Sequence, residues 1–449
     1  MPRLKIRRVL LSFVGFNNYD QIYKNLQYES CQHRKRNFGF KILLLLHKIK
    51  SFMRIGMILD NEIDDDIRVS NEINVLLQAG NQVVLLCKSK RGKSGMERQD
   101  KLVIQRISLP KKIFGALNII SQQIPLLQFY WYLHFLKLAK RYKVDAIHAH
   151  DLYMFQPANR VAQKINKPLV LDLHENYPET VKQYAWTKKW YAKIFYNVRY
   201  WSKKEEFFLS SSNRIIVLSD HYKAELLQKY PNLKSENLVR YSNVPDIGFF
   251  NSMQINPSIQ KKENEFIIFY FGVMARRRGI FTLMEAVKRL SKKYNHIKLL
   301  LIGPIDNAEK NDFQKVMEPM IQEEILIYFP WKDISLLPSY IHISDVCVSP
   351  LIKNKQHESG VANKIFQYMY FKKPQVVSNC RPQAEIVVEN KCGVVFESEN
   401  AVDLAEKLNL FIANPSLIDE YGMNGYKAIV SKYNTQIEGE NLIALYDNL

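Results

Sequence analysis

The sequence contains little cysteine, and none of it is arranged as a ligand pair. Five cysteines are scattered through 449 residues, and no two of them have a Cys-x-x-Cys spacing. This pattern argues against a disulfide framework and against a structural zinc site. We therefore expect a protein of a reducing compartment, and so a cytoplasmic one.

Long apolar runs are also missing. The N-terminus has no apolar core followed by a cleavage site of small residues, so no secretory signal peptide is predicted. Residues 113–136 carry no formal charge, but their Asn, Ser, Gln and Pro residues make them a poor membrane span. A pair of amphipathic helices, lying in a cleft or on a membrane surface, fits this stretch better.

Acidic residues are too few to balance the basic ones. The chain has 64 Lys and Arg against 44 Asp and Glu, a formal net charge of +20. Such an excess implies an anionic partner, which could be nucleic acid, an acidic membrane surface or a phosphorylated substrate. The apolar content of 47% and the charged content of 24% are those of a globular protein.

From residue 53 onward, short apolar strands alternate with amphipathic helices, a pattern that predicts parallel, doubly wound sheets. The alternation stops in a stretch rich in Asn, Pro, Ser and Gln, and then restarts. We therefore predict an α/β chain with two Rossmann-like domains and a cleft between them. The predicted segments are a basic extension (1–52), a first domain (53–245), a linker (246–262), a second domain (263–436) and a helix that returns to the first domain (437–449).

The extension does not follow the strand–helix alternation. Eleven Lys or Arg and only two acids occur through residue 50. One interpretation is a basic arm that contacts a membrane. The other is translation from an upstream start codon, with Met53 as the natural first residue.

A run of three arginines follows a predicted strand of the second domain. The strand EFIIFYFG ends at Gly272, and VMARRRGI leads from it into the next helix. Guanidinium groups pair with phosphate oxygens, and a helix N-terminus adds positive potential. We interpret Arg276, Arg277 and Arg278 as a phosphate site, with a solvated basic loop as the alternative.

A polar loop, HESGVANKIFQ, opens a buried helix in the same domain. We predict that this helix begins near Ala362 or Asn363, so that the backbone N–H groups of Gly360, Val361 and Ala362 point towards an anion. The glycine permits close approach, and Lys364 adds charge. An ordinary capped helix is the alternative.

Two predicted strands of the first domain end in polar residues. HAHD places His150 and Asp151 at one strand end, and DLHE places His174 and Glu175 at another. Ligands bind at the carboxyl ends of strands in open α/β sheets, which favours functional roles over buried structural ones. The run Asp64–Asp66 has the form of a DxD metal motif, but we interpret it as the acidic start of a helix and predict no metal site.

The order and spacing of several short motifs resemble a GT-B glycosyltransferase of family 4. The resemblance covers roughly residues 53–445. It implies retaining transfer of a sugar from a nucleotide-sugar, bound by the second domain, to an acceptor on the first, without a metal or other cofactor. The motifs that carry it are HAHDL (148–152), DLHENYPE (172–179), RIIVLSD (214–220), YSNVPD (241–246), YFGVMARRRGIFTLMEA (270–286), LLLIGP (299–304) and NKIFQYMYFKKPQVVSNC (363–380).

The resemblance also assigns roles and exposes departures. Arg278 matches the family's diphosphate-binding residue, whereas Val273 stands where a second arginine is usual, so that Arg276 or Arg277 would have to replace it. Gln367 stands where the family has the glutamate that binds the ribose hydroxyls.

Of the other predicted site residues, Glu358 is offset by one from the family's sugar-contacting glutamate, which falls at Ser359. His150 matches a histidine close to the transferred sugar. The resulting predicted site comprises catalytic His150, His174 and Glu358; donor-binding Gly272, Arg276, Arg277, Arg278, Gly360, Val361, Ala362, Asn363, Lys364 and Gln367; and acceptor-side Asp151 and Glu175.

Residues 181–204 hold seven Lys or Arg, eight aromatic residues and no acid. This composition suits an anionic membrane interface, although a half-buried helix with a solvated face is the common alternative. We expect a lipid-linked or polysaccharide acceptor in surface-glycan assembly, with peripheral contact at the inner face of the cell membrane and no nucleic acid. A noncatalytic GT-B-like binding protein and a nucleotide-sugar epimerase remain as rival functions.

Overall fold

The computed structural model describes residues 52–449, apart from 90, 91, 93, 123, 184–186, 188–196, 198 and 331–333. The extension predicted over 1–52 therefore lies, except for Phe52, outside the described residues. Most of the basic and aromatic stretch 181–204 lies outside them as well.

The first sheet of the chain has eight strands in the order β3-β4-β2-β1-β5-β6-β7-β8. Every neighbouring pair is parallel except β3 and β4. The strands are β1 (Arg54–Leu59), β2 (Gln82–Lys88), β3 (Gly95–Gln99), β4 (Leu102–Ile107), β5 (Ala146–His150), β6 (Leu169–Asp172), β7 (Arg214–Val217) and β8 (Leu238–Arg240).

The second sheet has six strands in the order β11-β10-β9-β12-β13-β14, all parallel. Two parallel sheets connected through helices confirm the predicted α/β fold class. The strands are β9 (Phe266–Phe271), β10 (Ile297–Ile302), β11 (Leu326–Phe329), β12 (Val346–Ser349), β13 (Gln375–Ser378) and β14 (Gly393–Phe396).

Helices connect most of these strands. Those described around the first sheet are α1 (Ile67–Gln78), α2 (Lys111–Ile119), α3 (Leu126–Tyr142), α4 (Phe155–Ile165), α5 (Tyr177–Gln183), α6 (Arg199–Ser210) and α7 (Asp220–Lys229). Those that follow are α8 (Ile247–Ser252), α9 (Ile280–Ser291), α10 (Lys310–Gln322), α11 (Leu337–Ile343), α12 (Asn363–Tyr370), α13 (Arg381–Glu389), α14 (Ala401–Ala413), α15 (Ser416–Ser431) and α16 (Thr435–Asp447).

The central strands of both sheets are buried on both faces, which explains their continuous apolar sequences. In β1, Ile55 and Met57 pack in one core with α1 and α16, whereas Ile58 packs in another with α3, α4 and α6. This is the alternation of side chains expected along a strand. In β9, Ile268 and Phe269 divide between two cores in the same way.

Two local features differ from the sequence prediction. The edge strand β3 is exposed along its whole length and has no apolar alternation, so the pattern gave no signal for it. The predicted linker begins with the short helix α8. Helix α7 is capped by Ser219, whose Oγ accepts a hydrogen bond from the N–H of Tyr222 at 3.1 Å. Asp220 is the first helical residue and pairs with Arg240.

The acidic run before α1 opens that helix, as predicted. Asp66 is its N-cap, and its Oδ1 accepts a hydrogen bond from the N–H of Val69 at 3.2 Å. Asp64 forms an ion pair with Arg106 at 3.0 Å. The contact of Asp66 is that of a helix start, whereas the ion pair of Asp64 joins the preceding turn to β4.

The C-terminal helix α16 packs against the first sheet. Leu442, Leu445 and Tyr446 are buried in the core that β1 and α1 form. Asn434 caps the helix by accepting from the N–H groups of Gln436 and Ile437. The last helix of the chain thus completes the core of its first half.

Within the described residues, no helix combines the length and the apolar character needed to cross a membrane.

Replacing Leu442 by alanine tests this docking. The side chain is fully buried, so the variant should lose about 2–4 kcal/mol of unfolding free energy. Ile437→Ala, at a partly exposed position of the same helix, is the matched control and should lose much less. Urea unfolding curves measure both, and equal losses would show that α16 is not held through this core.

Candidate active site

The centre of the first site lies where the strand order of the first sheet reverses. β1 is flanked by β2 on one side and by β5 on the other. Ligands of doubly wound sheets bind at this reversal, beyond the carboxyl ends of the strands. His150 is the last residue of β5 and Asp172 the last of β6, and both are fully buried.

Basic side chains surround the carboxylate of Asp172. Arg68, from the first turn of α1, donates to Asp172 Oδ1 through Nη2 at 2.7 Å and to Oδ2 through Nε at 3.2 Å. His174 Nε2 lies 2.7 Å from Oδ2, and His150 Nδ1 lies 3.4 Å from it. Burial alone would raise the pKa of Asp172, but Arg68 and His174 hold it well below its usual value.

The two histidines of this cluster carry different charges. Burial lowers the pKa of His150, which keeps its ring neutral near pH 7. Burial also opposes protonation of His174, but the carboxylates of Asp151 and Asp172 outweigh it and raise the pKa of His174 to about 10. The predicted residues His150, Asp151 and His174 therefore lie together, around an aspartate that sequence reasoning left unassigned although it opens the DLHENYPE motif.

Sequence reasoning also missed three residues behind His150. His148 stacks on it with ring centroids 4.3 Å apart, and its Nδ1 lies 2.7 Å from the hydroxyl of Tyr446 on α16. Glu72 is fully buried, and burial and Asp172 raise its pKa well above its usual value. The alternation of β5, which turns both histidines to one face, was the available signal.

Four ligand atoms in this cluster lie within 4.8 Å of one another, those of Glu72, His150, Asp172 and His174. Such a set could hold a metal ion. However, Arg68 Nε lies 3.1 Å from Glu72 Oε1 and also contacts Asp172. The guanidinium already supplies positive charge to both carboxylates.

The second site lies at the end of β9, where the arginine run forms a short 3-10 turn. Arg278 is half-buried, and burial and Arg277 lower its pKa. Arg277 Nη1 is buried and has no hydrogen-bond partner in the described part of the chain. Arg276 instead lies exposed, ion-paired with Asp312 at 3.3 Å and stacked over Phe281. Two of the three predicted arginines thus point into the site.

Lys364, from the first turn of α12, reaches the same strand end. Its Nζ donates to the carbonyl of Phe271 at 2.7 Å and lies 3.6 Å from the centroid of the Tyr270 ring. Gly272 has a φ of 128°, and a Cβ there would lie 3.2 Å from Nζ. Burial and the neighbouring Arg278 lower the pKa of Lys364 well below its usual value.

His357 is a further residue of this site that sequence reasoning did not assign. Its Nδ1 lies 2.7 Å from the carbonyl oxygen of Ile352, and its Nε2 is buried with no partner among the described residues. Burial lowers its pKa to about 4, and the charges of Arg278, Arg277 and Lys364 contribute. Burial is thus the main cause of its neutrality, and the basic side chains nearby add to it.

The start of α12 agrees with the sequence prediction, since Asn363 is its first residue and Ala362 its N-cap. The backbone N–H groups of Gly360, Val361 and Ala362 have no acceptor in the described part of the chain. Such groups form an anion site at a helix N-terminus.

The loop that precedes α12 contacts the first half of the chain. Ser219 Oγ donates to the carbonyl of Ser359 at 3.0 Å. A Cβ on Gly360 would lie 2.7 Å from Leu218 Cδ1, so this glycine permits the approach of Leu218. The loop before α12 is thereby tied to the carboxyl end of β7.

The remaining residues singled out in the sequence differ in their burial and in their contacts. Glu358 Oε1 accepts from the backbone N–H of Arg381 at 2.9 Å, at the start of α13. Gln367 Oε1 is buried and unpartnered within the described residues. Val273 is exposed. Glu175 acts electrostatically on Arg278, which connects the two strand-end sites.

Two family descriptions match the chain. "Glycosyltransferase Family 4" covers residues 67–243, and "Glycosyl transferases group 1" covers residues 252–428. Between them the two matched ranges include most residues of both sites. The chain therefore belongs to the group 1 glycosyltransferases of the GT-B fold.

Two curated relatives come from Staphylococcus aureus. The capsular polysaccharide biosynthesis glycosyltransferase CapM is 24% identical over 265 residues, which are 56% of this chain and 65% of that protein. A poly(ribitol-phosphate) alpha-N-acetylglucosaminyltransferase of strain COL is 22% identical over 253 residues, 55% of this chain and 47% of that protein. The chain thus matches less than two thirds of the length of either relative.

Solved structures share the fold over nearly their whole length. Sucrose-phosphate synthase from Thermosynechococcus elongatus has a TM-score of 0.67 at 16% identity, covering 88% of this chain and 98% of that one. Anabaena HepE, solved in complex with UDP and glucose, has a TM-score of 0.63 at 14% identity, covering 88% and 100%.

The charge on His174 makes stability depend on pH. Its pKa is about 10 in the fold against about 6.5 when unfolded. Its contribution to the unfolding free energy is therefore complete below about pH 6.5 and declines as the pH rises towards 10. His174→Gln should destabilise most at pH 6 and progressively less at pH 8 and 9.5, as measured by urea unfolding.

The surface residue His342 provides the control. His342→Gln should change stability little at any of these pH values. A destabilisation by His174→Gln that stays constant or grows with pH would contradict the charged state of His174.

Proposed function

We propose that the protein is a retaining glycosyltransferase that needs no metal or other cofactor and uses a nucleoside-diphosphate sugar as donor. The observation that carries this proposal is the convergence of Arg277, Arg278 and Lys364 with the free N–H groups that open α12. Like charges gathered in a buried place are costly unless an anion joins them. A diphosphate supplies that anion.

The acceptor is held at the first sheet, and the reaction runs between the two strand-end sites. The bond between the sugar's anomeric carbon and the diphosphate oxygen breaks, and the electron pair leaves with the diphosphate. The cations and the helix N-terminus stabilise that charge as preorganised electrostatics. The acceptor hydroxyl attacks from the same face and gives its proton to the departing phosphate oxygen, so the anomeric configuration is retained.

His150 serves this reaction as a neutral group. Asp172 Oδ2 contacts its Nδ1, and the ring of His148 stacks on its ring. The hydroxyl of Tyr446 contacts Nδ1 of His148 and so orients that ring. Nε2 of His150 has no partner in the described part of the chain, so it is available for a hydroxyl of the transferred sugar. The ionised Asp172 adds negative potential where the sugar ring becomes positive.

The departures from the family pattern do not remove the donor site. Val273 lacks the cationic side chain that the family usually has there, but Lys364 Nζ reaches the neighbouring carbonyl of Phe271 from α12. Gln367 keeps an unpartnered oxygen that can accept from a ribose hydroxyl. A noncatalytic function is therefore the less favoured interpretation.

Nucleoside diphosphates test the site directly. Arg278→Ala and Lys364→Met should each weaken binding about 10- to 100-fold, since a charge-assisted hydrogen bond contributes about 1.5–3 kcal/mol. Arg276→Ala is the matched control and should bind within about twofold of wild type, because Arg276 is exposed and paired with Asp312. Calorimetry with UDP, GDP and ADP measures this, and equal effects of Arg276 and Arg278 would place the diphosphate elsewhere.

We further propose surface-glycan assembly at an anionic membrane, with a lipid-linked or polysaccharide acceptor. One curated relative is named for capsular polysaccharide and the other for poly(ribitol-phosphate). On α3, Leu126, Phe129 and Leu133 share one face and are each about half exposed, and Lys137 continues that face. Residues 111–141 contain no acid, which suits an interfacial helix.

Vesicle binding tests the membrane proposal. A triple variant, Leu126→Ser, Phe129→Ser and Leu133→Ser, should lose sedimentation with phosphatidylglycerol vesicles at low salt. The control is Ile321→Ser, Val388→Ser and Val430→Ser, three exposed apolar residues around the second sheet, and it should sediment like wild type. Failure of the wild type to sediment would contradict the proposal.

A further inference from the structure

Two aspartates follow the central strands of the first sheet at matching positions. Ile58 of β1 pairs with Ala149 of β5, and Asp60 and Asp151 each come two residues later. They flank the point at which the strand order reverses, where doubly wound sheets bind their ligands. Asp151 was predicted to lie on the acceptor side, whereas sequence reasoning did not assign Asp60.

Asp60 is incompletely satisfied by the protein. Its Oδ1 is buried and has no hydrogen-bond partner among the described residues. Lys88 Nζ forms a long ion pair with this oxygen at 3.8 Å and lies 3.4 Å from the centroid of the Phe114 ring. A buried carboxylate oxygen without a donor is costly, so its retention calls for an explanation.

Asp151 is held in a strained conformation beside it. Its φ is 71°, which is uncommon for a residue other than glycine and is typical of functional sites. The hydroxyl of Tyr153 donates to Oδ2 at 3.0 Å, and His174 Nδ1 lies 3.6 Å from the same oxygen. Both contacts orient the carboxylate through one oxygen only.

Charge limits what can bind beside the two carboxylates. Burial and Asp151 raise the pKa of Asp60 to about 7, although Lys88 opposes them. Tyr153 is the other titratable group close enough to interact with Asp60. A phosphate or a carboxylate would add a further negative charge here, whereas hydroxyl groups would donate hydrogen bonds to unsatisfied oxygens.

We propose that Asp60 and Asp151 together bind the hydroxyl groups of the acceptor, so that the part of the acceptor beside His150 is a neutral polyol or sugar. This inference rests on the proposed glycosyl transfer and identifies the acceptor chemistry at that site. Any phosphate or lipid that the acceptor carries lies farther from the sheet. Asp60 is thus an acceptor-binding residue additional to those predicted from the sequence.

Saturation-transfer NMR tests the proposal with methyl glucoside, N-acetylglucosamine and ribitol as probes, and with glucose 6-phosphate for comparison. The protein is the full chain with the best-binding nucleoside diphosphate present. Wild type should bind at least one neutral probe, and more tightly than the phosphate. Asp60→Asn should weaken that binding at least tenfold, and the matched control Asp64→Asn, on the same loop, should leave it within twofold.

Two further readouts separate the possible outcomes. The affinity of Asp60→Asn for the nucleoside diphosphate should equal that of wild type. If the wild-type protein itself binds no nucleoside diphosphate, the proposed function has failed. The melting temperature of Asp60→Asn should not fall, because the replaced carboxylate is poorly satisfied; a structural aspartate would lower it. Equal probe binding by wild type and Asp60→Asn, tighter binding of the phosphate, or no binding of any neutral probe overturns the inference.

Discussion

The buried ion pair between Arg68 and Asp172 is the interaction on which the first site depends. It joins α1 to the end of β6, and Arg68 also donates to the carbonyl of Tyr241 at 2.9 Å and to Asn243 at 2.8 Å. A buried pair costs desolvation and contributes little net stability, but removing one partner leaves an uncompensated charge. Its value here is positional, since Asp172 can orient both histidines only while Arg68 keeps it ionised.

The second site, in contrast, has more positive than negative side chains. The first cluster pairs Arg68 and the charged His174 with carboxylates, whereas Lys364, Arg277 and Arg278 lie close enough to His357 to add to the effect of burial on its pKa. The same fold thus has a balanced charge cluster at the strand ends of the first sheet and a cationic cluster at the strand ends of the second. The contact of Ser219 with Ser359 and the effect of Glu175 on Arg278 connect them. A donor anion and an uncharged acceptor fit these two environments.

Much of the fold followed from the sequence because buried parallel strands have continuous apolar runs, which even a single sequence displays. The exposed edge strand β3 and the three-residue β8 lack such runs and were missed. In the sites, strand-end position led to His150 and to the arginine run 276–278, and only the family resemblance distinguished Arg278 within that run. It could not find Glu72 or Tyr446, whose roles come from tertiary packing across the sheet. Nor could it tell that Arg276 turns away to Asp312, since that choice depends on α10.

The central claim is that a nucleoside diphosphate binds at the end of β9. A crystal structure of the protein soaked with the nucleoside diphosphate that it binds most tightly tests this directly. The account predicts diphosphate density in contact with Arg278, Lys364 and the N-terminus of α12, with the ribose towards Gln367. Density for the diphosphate against the first sheet, or away from these cations, would contradict it.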